Sequence, residues 1–251
     1  CRIGDLRPCC ASNHWCGTKK NELKPHQKQY WCVATFNAEY IAHMEDILFL
    51  YRRTPNPKRP RIAMDERPCI LLGNIIQPLP MKPGAVLRED YGYERHGVAN
   101  VLLAYNIDTA ERFVHIRRHR RAQEYAVFMK QLAEHYPDAE TLDIVQDNLN
   151  THTAASFYKT FDAAAALWLT QRFAFHFTPK HASWLNIAEI EFSAFARQCA
   201  NQRWQSFNAF VEGAMRYFQA RNKETIKLSW QFSPERAREK FQRQYQTVKI
   251  N

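Results

Sequence analysis

The order of strand-like and helix-like segments constrains the fold of this chain more than any other feature of its sequence. Three strand-like segments come first, at residues 62–72, 98–108 and 112–119, and a short turn joins the second to the third. Helical segments then alternate with strand-like segments at 142–148 and 173–179. A hairpin followed by such alternation predicts a mixed sheet of five strands with helices packed on it.

Apolar residues recur at three-to-four spacing in the segments between and around these strands, which indicates amphipathic helices. Three strands in a row followed by alternation is the order of the ribonuclease H-like fold, and we expect that α/β fold here. The segment after Ser206 carries an apolar stripe that favours the core over a dimer face. Helices are predicted for residues 37–53, 121–136, 153–168, 186–200, 206–222 and 234–241.

Composition narrows the class of protein. Of the 251 residues, 45% are hydrophobic, so the chain can bury a sizeable core. It contains no run of about 18 apolar residues, and its beginning lacks the apolar stretch of a secretory signal, so we expect no membrane association. The formal net charge of +10 favours polyanionic partners, of which nucleic acid is the commonest. The chain begins with Cys1 rather than Met, which suggests a fragment.

A basic, proline-rich linker at residues 54–61 suggests a boundary between two regions. We therefore predict a remnant of a DNA-binding region with a linker helix at 1–53 and a compact domain at 54–251. Five of the seven cysteines fall in the first 32 residues. The odd number and the lack of a CxxC pair favour reduced thiols over a disulfide framework or a zinc ribbon. A metal site that includes His14 and Cys16 is the remaining alternative.

Acidic side chains stand at strand ends and at the start of a helix. Asp65 follows the apolar start of the first strand, and Asp147 follows the apolar run of the fourth. Sites in open α/β sheets form where strands end, and hard carboxylate oxygens suit Mg²⁺ or Mn²⁺. The alternative is that Asp147 and Asn148 only cap a turn or a helix.

The helix at 186–200 offers two candidates for a third carboxylate. Glu189 and Glu191 are two residues apart, which is about 200° around a helix, so only one can point towards the sheet's edge. Periodicity does not decide between them.

Three motifs together give a specific resemblance. The stretches "MDE" (64–66), "VQDNLNTH" (145–152) and "FTPKHASWLNIAEIEF" (177–192) resemble the catalytic domain of IS630-type transposases, within the Tc1/mariner superfamily. The segment "LKPHQKQYW" (23–31) is similar to that family's linker after its DNA-binding helices, and "QPLPMKPG" (77–84) to the loop after its first strand.

The resemblance implies an Asp-Asp-Glu metal triad on a ribonuclease H-like fold. It maps the triad to Asp65, Asp147 and Glu189, and so selects Glu189 over Glu191. Four further residues match the motifs around the triad and are candidates for orienting a ligand or contacting a DNA phosphate. They are Asn148, His152, Lys180 and His181.

The activity that the resemblance implies is metal-dependent DNA cleavage and strand transfer of an insertion element, with two Mg²⁺ or Mn²⁺ ions. The implied partners are the element ends and a TA target, and the implied location is the bacterial cytoplasm, at the nucleoid. A homodimer is compatible with it. The basic segments at 56–61 and 117–121, with Lys180, are candidate contacts for the DNA backbone.

Two departures from the family keep alternatives open. The 41 residues between Asp147 and Glu189 exceed the family's usual spacing, and the helix around 161–171 would have to absorb the excess. The helix-turn-helix modules of the family have no clear counterpart at residues 1–18. A truncated remnant that binds DNA or a full-length partner without transposing is therefore one alternative. A ribonuclease H-like nuclease or integrase is the other.

Overall fold

The computed structural model describes residues 36–149 and 152–250. The predictions about the amino-terminal cysteines, His14 and the segment at 23–31 lie outside the described residues. Within the described residues, no helix is long and apolar enough to cross a membrane.

A five-stranded mixed sheet forms the centre of the fold, which confirms the prediction. The strands follow the order β3-β2-β1-β4-β5 across the sheet. β2 is antiparallel to both β1 and β3, whereas β4 is parallel to both β1 and β5. The strands are β1 Arg61–Asn74, β2 Tyr93–Asn106, β3 Arg112–Arg117, β4 Leu142–Gln146 and β5 Phe173–Phe177.

Helices cover both faces of the sheet and one of its edges. The predicted helices are confirmed, although residues 153–168 form two helices rather than one. The α-helices of the described residues are α1 Ala38–Arg52, α2 Ala122–His135, α3 Ala155–Tyr158, α4 Ala163–Arg172, α5 Ala188–Phe195, α6 Phe207–Lys223, α7 Pro234–Lys240 and α8 Gln242–Ile250. A 3-10 turn, Ser183–Leu185, precedes α5, and a π-helical turn, Ala196–Ala200, follows it.

The two faces of β1 belong to different cores because successive side chains of a strand point to opposite sides. Ala63 packs in the core with α5 and α6, whereas Ile62 and Met64 pack in the core with α2 and α4. Asp65 shares the parity of Ala63, so it lies on the α5 side. Phe210, Ala214 and Phe218 of α6 are buried in the same core as Ala63, which confirms that the apolar stripe of α6 is core.

Helix α1 packs against the sheet's β5 edge and the carboxyl-terminal helices. Its buried side chains, Met44, Ile47 and Leu48, lie in one cluster with Val145 of β4 and Leu185. α1 and the sheet therefore lie in the same compact unit, which runs from residue 34. The division of the chain at residues 53 and 54 stays a prediction.

The β1–β2 connection at residues 75–92 is an irregular hairpin. Two short antiparallel bridges, Leu79 with Arg88 and Lys82 with Ala85, close it. Both flanking strands extend beyond their predicted ends, because antiparallel pairing continues past a register shift between Ile70 and Leu72.

Candidate active site

Asp65 and Asp147 meet because β1 and β4 are parallel neighbours. Ala63 pairs with Val145, and each aspartate stands two residues further along its strand. β4 ends at Gln146, whereas β1 continues and pairs only with β2 from there on. The two carboxylates therefore lie where β1 loses a neighbour, which is the position expected for a site in such a sheet.

Glu189 reaches the same place on helix α5. The segment ahead of α5 is fastened to β1, since the side-chain amide of Asn186 donates to the carbonyl oxygen of Met64 at 2.9 Å. Tyr51 of α1 fastens it a second time, because its hydroxyl donates to the carbonyl oxygen of Leu185 at 2.8 Å. Glu189 lies in the exposed part of the first turn of α5.

The pKa of Asp65 responds to its burial and to the other two carboxylates. Burial raises the pKa of Asp65 to about 7, and the negative charges of Glu189 and, to a smaller extent, Asp147 contribute to the rise. The backbone N–H of Glu66 donates to Asp65 at 2.8 Å and acts in the opposite direction. A cation bound between these groups would offset the repulsion.

Glu191 differs from Glu189 in its burial and in its ion-pair partners. Its carboxylate is fully buried and accepts hydrogen bonds from Arg112 of β3 at 3.0 and 3.1 Å and from Arg221 of α6 at 3.0 Å. Burial alone would raise the pKa of Glu191, but the hydrogen bonds from Arg112 and Arg221 outweigh it and hold the pKa below its ordinary value. Glu191 is therefore a structural ion-pair residue on the side of α5 that faces the core.

His152 is buried beside Asp147 and does not face solvent. Its Nδ1 lies 2.6 Å from Oδ1 of Asp147, and its ring stacks on Tyr125 with 4.7 Å between centroids. Burial acts to lower the pKa of His152, but the bond to Asp147 and the nearby Glu66 carboxylate outweigh it and raise the pKa to about 9. His152 is therefore in hydrogen-bond contact with Asp147, and its side chain has no exposed surface.

The carboxylate of Glu66 lies near His152, at the ring nitrogen that does not contact Asp147. Oε1 of Glu66 is 3.5 Å from Nε2 of His152 and 2.9 Å from Nε of Arg120. Glu66 points to the α2 side of the sheet because it follows Asp65 in the strand. On the same side, the side chain of Gln146 donates to the carbonyl oxygen of His152 at 3.0 Å and accepts from the hydroxyl of Tyr125 at 2.9 Å.

The other predicted residues lie around a cleft next to Asp147. Asn148, Lys180 and His181 are exposed and line this cleft, which has a volume of about 760 Å³. His181 has a positive φ of 63°, which is uncommon outside glycine. The structure thus brings Asn148, Lys180 and His181 together at one side of Asp147.

The predicted DNA contacts in the basic segments need correction. Arg61 is buried and bound to Asp108 and to the carbonyl oxygens of Leu50 and Tyr51, so it has no surface for DNA. Arg59 pairs with the buried Asp143 at 2.7 Å. Arg61 thus pairs with the largely buried Asp108, and Arg59 pairs with the fully buried Asp143 while its own side chain stays partly exposed.

In the second basic segment, two arginines also have internal contacts. Arg120 pairs with Glu66, and the guanidinium of Arg118 lies 4.1 Å from the centre of the Phe207 ring. Both remain partly exposed, so this segment still presents positive charge to solvent.

The donor set of the carboxylate site suits a hard divalent ion, since it consists of oxygens alone. Across the described residues, however, no three His, Cys, Asp or Glu side chains stand in an arrangement that would hold a metal ion without adjustment. The residues therefore fit such an ion in donor type and charge, while the side chains must turn inward to bind it.

Two residues near the site were missed by sequence reasoning. Glu66 lies inside the "MDE" motif, but it was not a candidate ligand because a strand residue next to Asp65 points to the opposite face. Asn186 lies inside the "WLNIAE" motif, and that motif was the signal available for it. The contribution of α1, whose Tyr51 holds the segment before α5, has no local sequence signal at all.

Comparisons with known proteins agree with this geometry. Residues 60–211 match the family described as DDE superfamily endonuclease. No curated protein sequence matches the chain. Among solved structures, the Mos1 strand transfer complex is 14% identical with a TM-score of 0.56, over 93% of this chain and 67% of that one.

A second solved structure, the Mos1 transposase paired-end complex with left transposon end, is 15% identical with a TM-score of 0.53. The match covers 83% of this chain and 62% of the Mos1 chain. The chain thus spans about two thirds of the length of these structures. At such identities the likeness shows a shared ribonuclease H-like fold.

Proposed function

Because the chain belongs to the DDE superfamily endonucleases, we propose that it is the catalytic part of a Tc1/mariner-type DNA transposase. The observation that carries the proposal is the electrostatic coupling of Asp65 with Glu189 and Asp147 at the end of β4. A buried carboxyl whose pKa is raised by burial and by neighbouring carboxylates is a candidate for a functional site, and a bound cation would offset the charges there.

We propose that Asp65, Asp147 and Glu189 hold two divalent ions, Mg²⁺ or Mn²⁺. When bound, such ions activate the attacking oxygen and stabilise the leaving oxygen in phosphodiester chemistry. The solved Mos1 paired-end complexes with Mn and with Mg support this choice of ion.

The surrounding residues orient these ligands and the substrate. His152 fixes one oxygen of Asp147, so that the other oxygen is free to bind an ion. Asn186 and Tyr51 fix the start of α5 and thereby the position of Glu189. Lys180, His181 and Asn148 lie beside Asp147, where they contact the phosphates of the DNA strand.

The proposed substrates are the ends of an insertion element and a TA target, in the nucleoid of a bacterial cell. A homodimer would allow two element ends to be processed together. The similar structures are a transposase complex with a transposon end and a strand transfer complex, which supports DNA as the substrate.

A cleavage and joining assay tests the proposal. The chain is incubated with an oligonucleotide of a candidate element end and a plasmid, with Mg²⁺, with Mn²⁺ or with EDTA. We expect metal-dependent strand cleavage followed by joining of the free 3′ end to the plasmid. Metal-dependent cleavage of an RNA–DNA hybrid with no action on DNA would contradict the proposal and favour a ribonuclease.

A further inference from the structure

The cleft beside Asp147 has three walls of different origin. The first is the start of helix α1, the second is the chain just after β4, and the third is the segment after β5. The lining residues that can contact a polar ligand include Asn37, Glu39, His43, Asn148, Lys180 and His181. The wall from α1 lies outside residues 60–211, the part of the chain that matches the endonuclease family.

Side-chain contacts fix helix α1, which forms the first wall, to the rest of the catalytic unit. The side chain of Asn37 caps the helix by accepting from the N–H of Tyr40 at 2.7 Å. Asp46 lies 2.7 Å from His176 of β5, and Glu45 accepts two hydrogen bonds of 2.8 Å from Arg238 of α7. His43 therefore lines the cleft from a helix that these contacts fix to the sheet and to α7.

The chemistry of the lining fits a nucleotide. His43, Lys180 and His181 are groups that can bind phosphate, and Asn148 and Ser183 can bond to base edges or sugars. Leu149, which is half-buried, adds apolar surface for a ring face. The acidic Glu39 also lines the cleft, and its carboxylate lies 4.0 Å from His43.

The size of the cleft limits what enters it. A volume of about 760 Å³ is within the range of about 300–1,000 Å³ that holds a small ligand, so the cleft has room for one or two nucleotides and not for a duplex. Because Asp147 lines the same cleft, a strand seated there is continuous with the bond at the carboxylates.

We infer that this cleft receives one or two unpaired nucleotides that flank the cleaved bond, with His43 of α1 and Lys180 as phosphate contacts. The inference rests on the proposed function, since it takes DNA as the substrate. It assigns to α1 a direct part in substrate recognition, beyond its packing role.

Fluorescence anisotropy at equilibrium, without metal, tests the inference. The probes are a blunt duplex and the same duplex with a two-nucleotide extension on either the 3′ or the 5′ strand. For the unaltered chain, one of the two extensions should strengthen binding about tenfold over the blunt duplex. His43→Ala should reduce that gain to about twofold or less, with the affinity for the blunt duplex nearly unchanged. Lys180→Ala should reduce the gain to the same extent and should also weaken binding of the blunt duplex, because Lys180 is proposed to contact the DNA phosphates.

Matched controls lie on helix α2, outside the cleft. His135→Ala and Lys130→Ala remove the same side-chain types and should keep the full gain. The gain should also decrease with salt, as phosphate contacts require. Absence of a gain for both extensions, or an undiminished gain in His43→Ala, would overturn the inference.

Plasmid nicking with Mn²⁺ in parallel separates this inference from the proposed function. Nicking without any extension gain removes the inference alone. An extension gain without nicking supports the cleft as a nucleotide site and removes the proposed function.

Discussion

Glu189 and Glu191 stand on the same turn of helix α5, yet one is exposed at the carboxylate site and the other is buried between Arg112 and Arg221. The buried ion pairs fix the rotation of α5 about its own axis. That rotation directs Glu189 outward, towards the end of β4. We therefore expect Glu191 to contribute to stability and Glu189 to contribute to the chemistry.

Substitution of these two glutamates should separate the contributions. Glu191→Gln leaves two buried arginines without a charged partner and should lower the free energy of unfolding by about 3–5 kcal/mol. Glu189→Gln should change it by less than about 0.5 kcal/mol and reduce cleavage at least about 100-fold. Urea denaturation and a cleavage assay measure both quantities. A Glu191→Gln variant as stable as the parent would show that the ion pairs do not hold α5.

Removal of the central aspartate should abolish the chemistry while the fold persists. Asp147→Ala should leave no Mg²⁺-dependent strand cleavage, because Asp147 is proposed to share the metal ions. Circular dichroism checks the fold. Asp138→Ala, an exposed aspartate in the turn before β4, is the control and should cleave normally. Wild-type rates in Asp147→Ala would refute the triad.

The hydrogen bond between His152 and Asp147 predicts weaker metal binding when the histidine is removed. His152→Ala should lower Mn²⁺ affinity about 10–100-fold, since groups that orient a metal ligand contribute about that much. Glu66→Gln, which leaves the bond to Asp147 in place, should have a smaller effect. Calorimetric titration measures both, with His135→Ala as the control. Equal affinity in His152→Ala and the parent would mean that Asp147 needs no orienting group.

The raised pKa of Asp65 predicts that metal binding depends on pH. With a pKa of about 7, Asp65 is protonated in much of the metal-free protein below neutrality, and an ion must displace that proton. Mn²⁺ affinity should therefore increase about tenfold per pH unit up to about pH 7 and then level off. Titrations between pH 5.5 and 8.5 test this, and Asp65→Asn should remove the slope. A flat profile in the parent would contradict it.

Asp143 predicts how stability changes in acid. Burial would raise its pKa, but hydrogen bonds from His176, Arg53 and Arg59 outweigh burial and lower the pKa to about 2. A carboxylate with a folded-state pKa below its unfolded value of about 3.9 stabilises the fold above pH 4, and the contribution disappears as the pH falls towards 2. The contribution is about 2–3 kcal/mol.

Urea denaturation between pH 2 and 6 measures this contribution. The parent should lose stability most steeply between pH 4 and 2, and Asp143→Asn should be less stable at pH 6 with a shallower acid dependence. Asp162→Asn, an exposed residue that caps α4, is a control for the general effect of acid. Parallel curves for the parent and Asp143→Asn would contradict the assignment.

Much of the fold followed from local patterns, and those predictions are confirmed. Strand order could be predicted because a hairpin followed by alternating helices and strands admits few topologies. The motifs around Asp65, Asp147 and Glu189 predicted the endonuclease family, which residues 60–211 confirm. The assignment of individual residues to the metal site stays a prediction.

The sequence by itself therefore determined the order of the elements, the family and the small set of carboxylates to consider, because these depend on periodicity and on short motifs. Only the tertiary structure decided which face each side chain occupies. It buried His152 against Asp147, turned Arg61 inward to Asp108 and placed α1 as a wall of the cleft. The physical reason is that these contacts join residues far apart in the chain, and their energies depend on burial and on the geometry of paired charges, which no local pattern encodes.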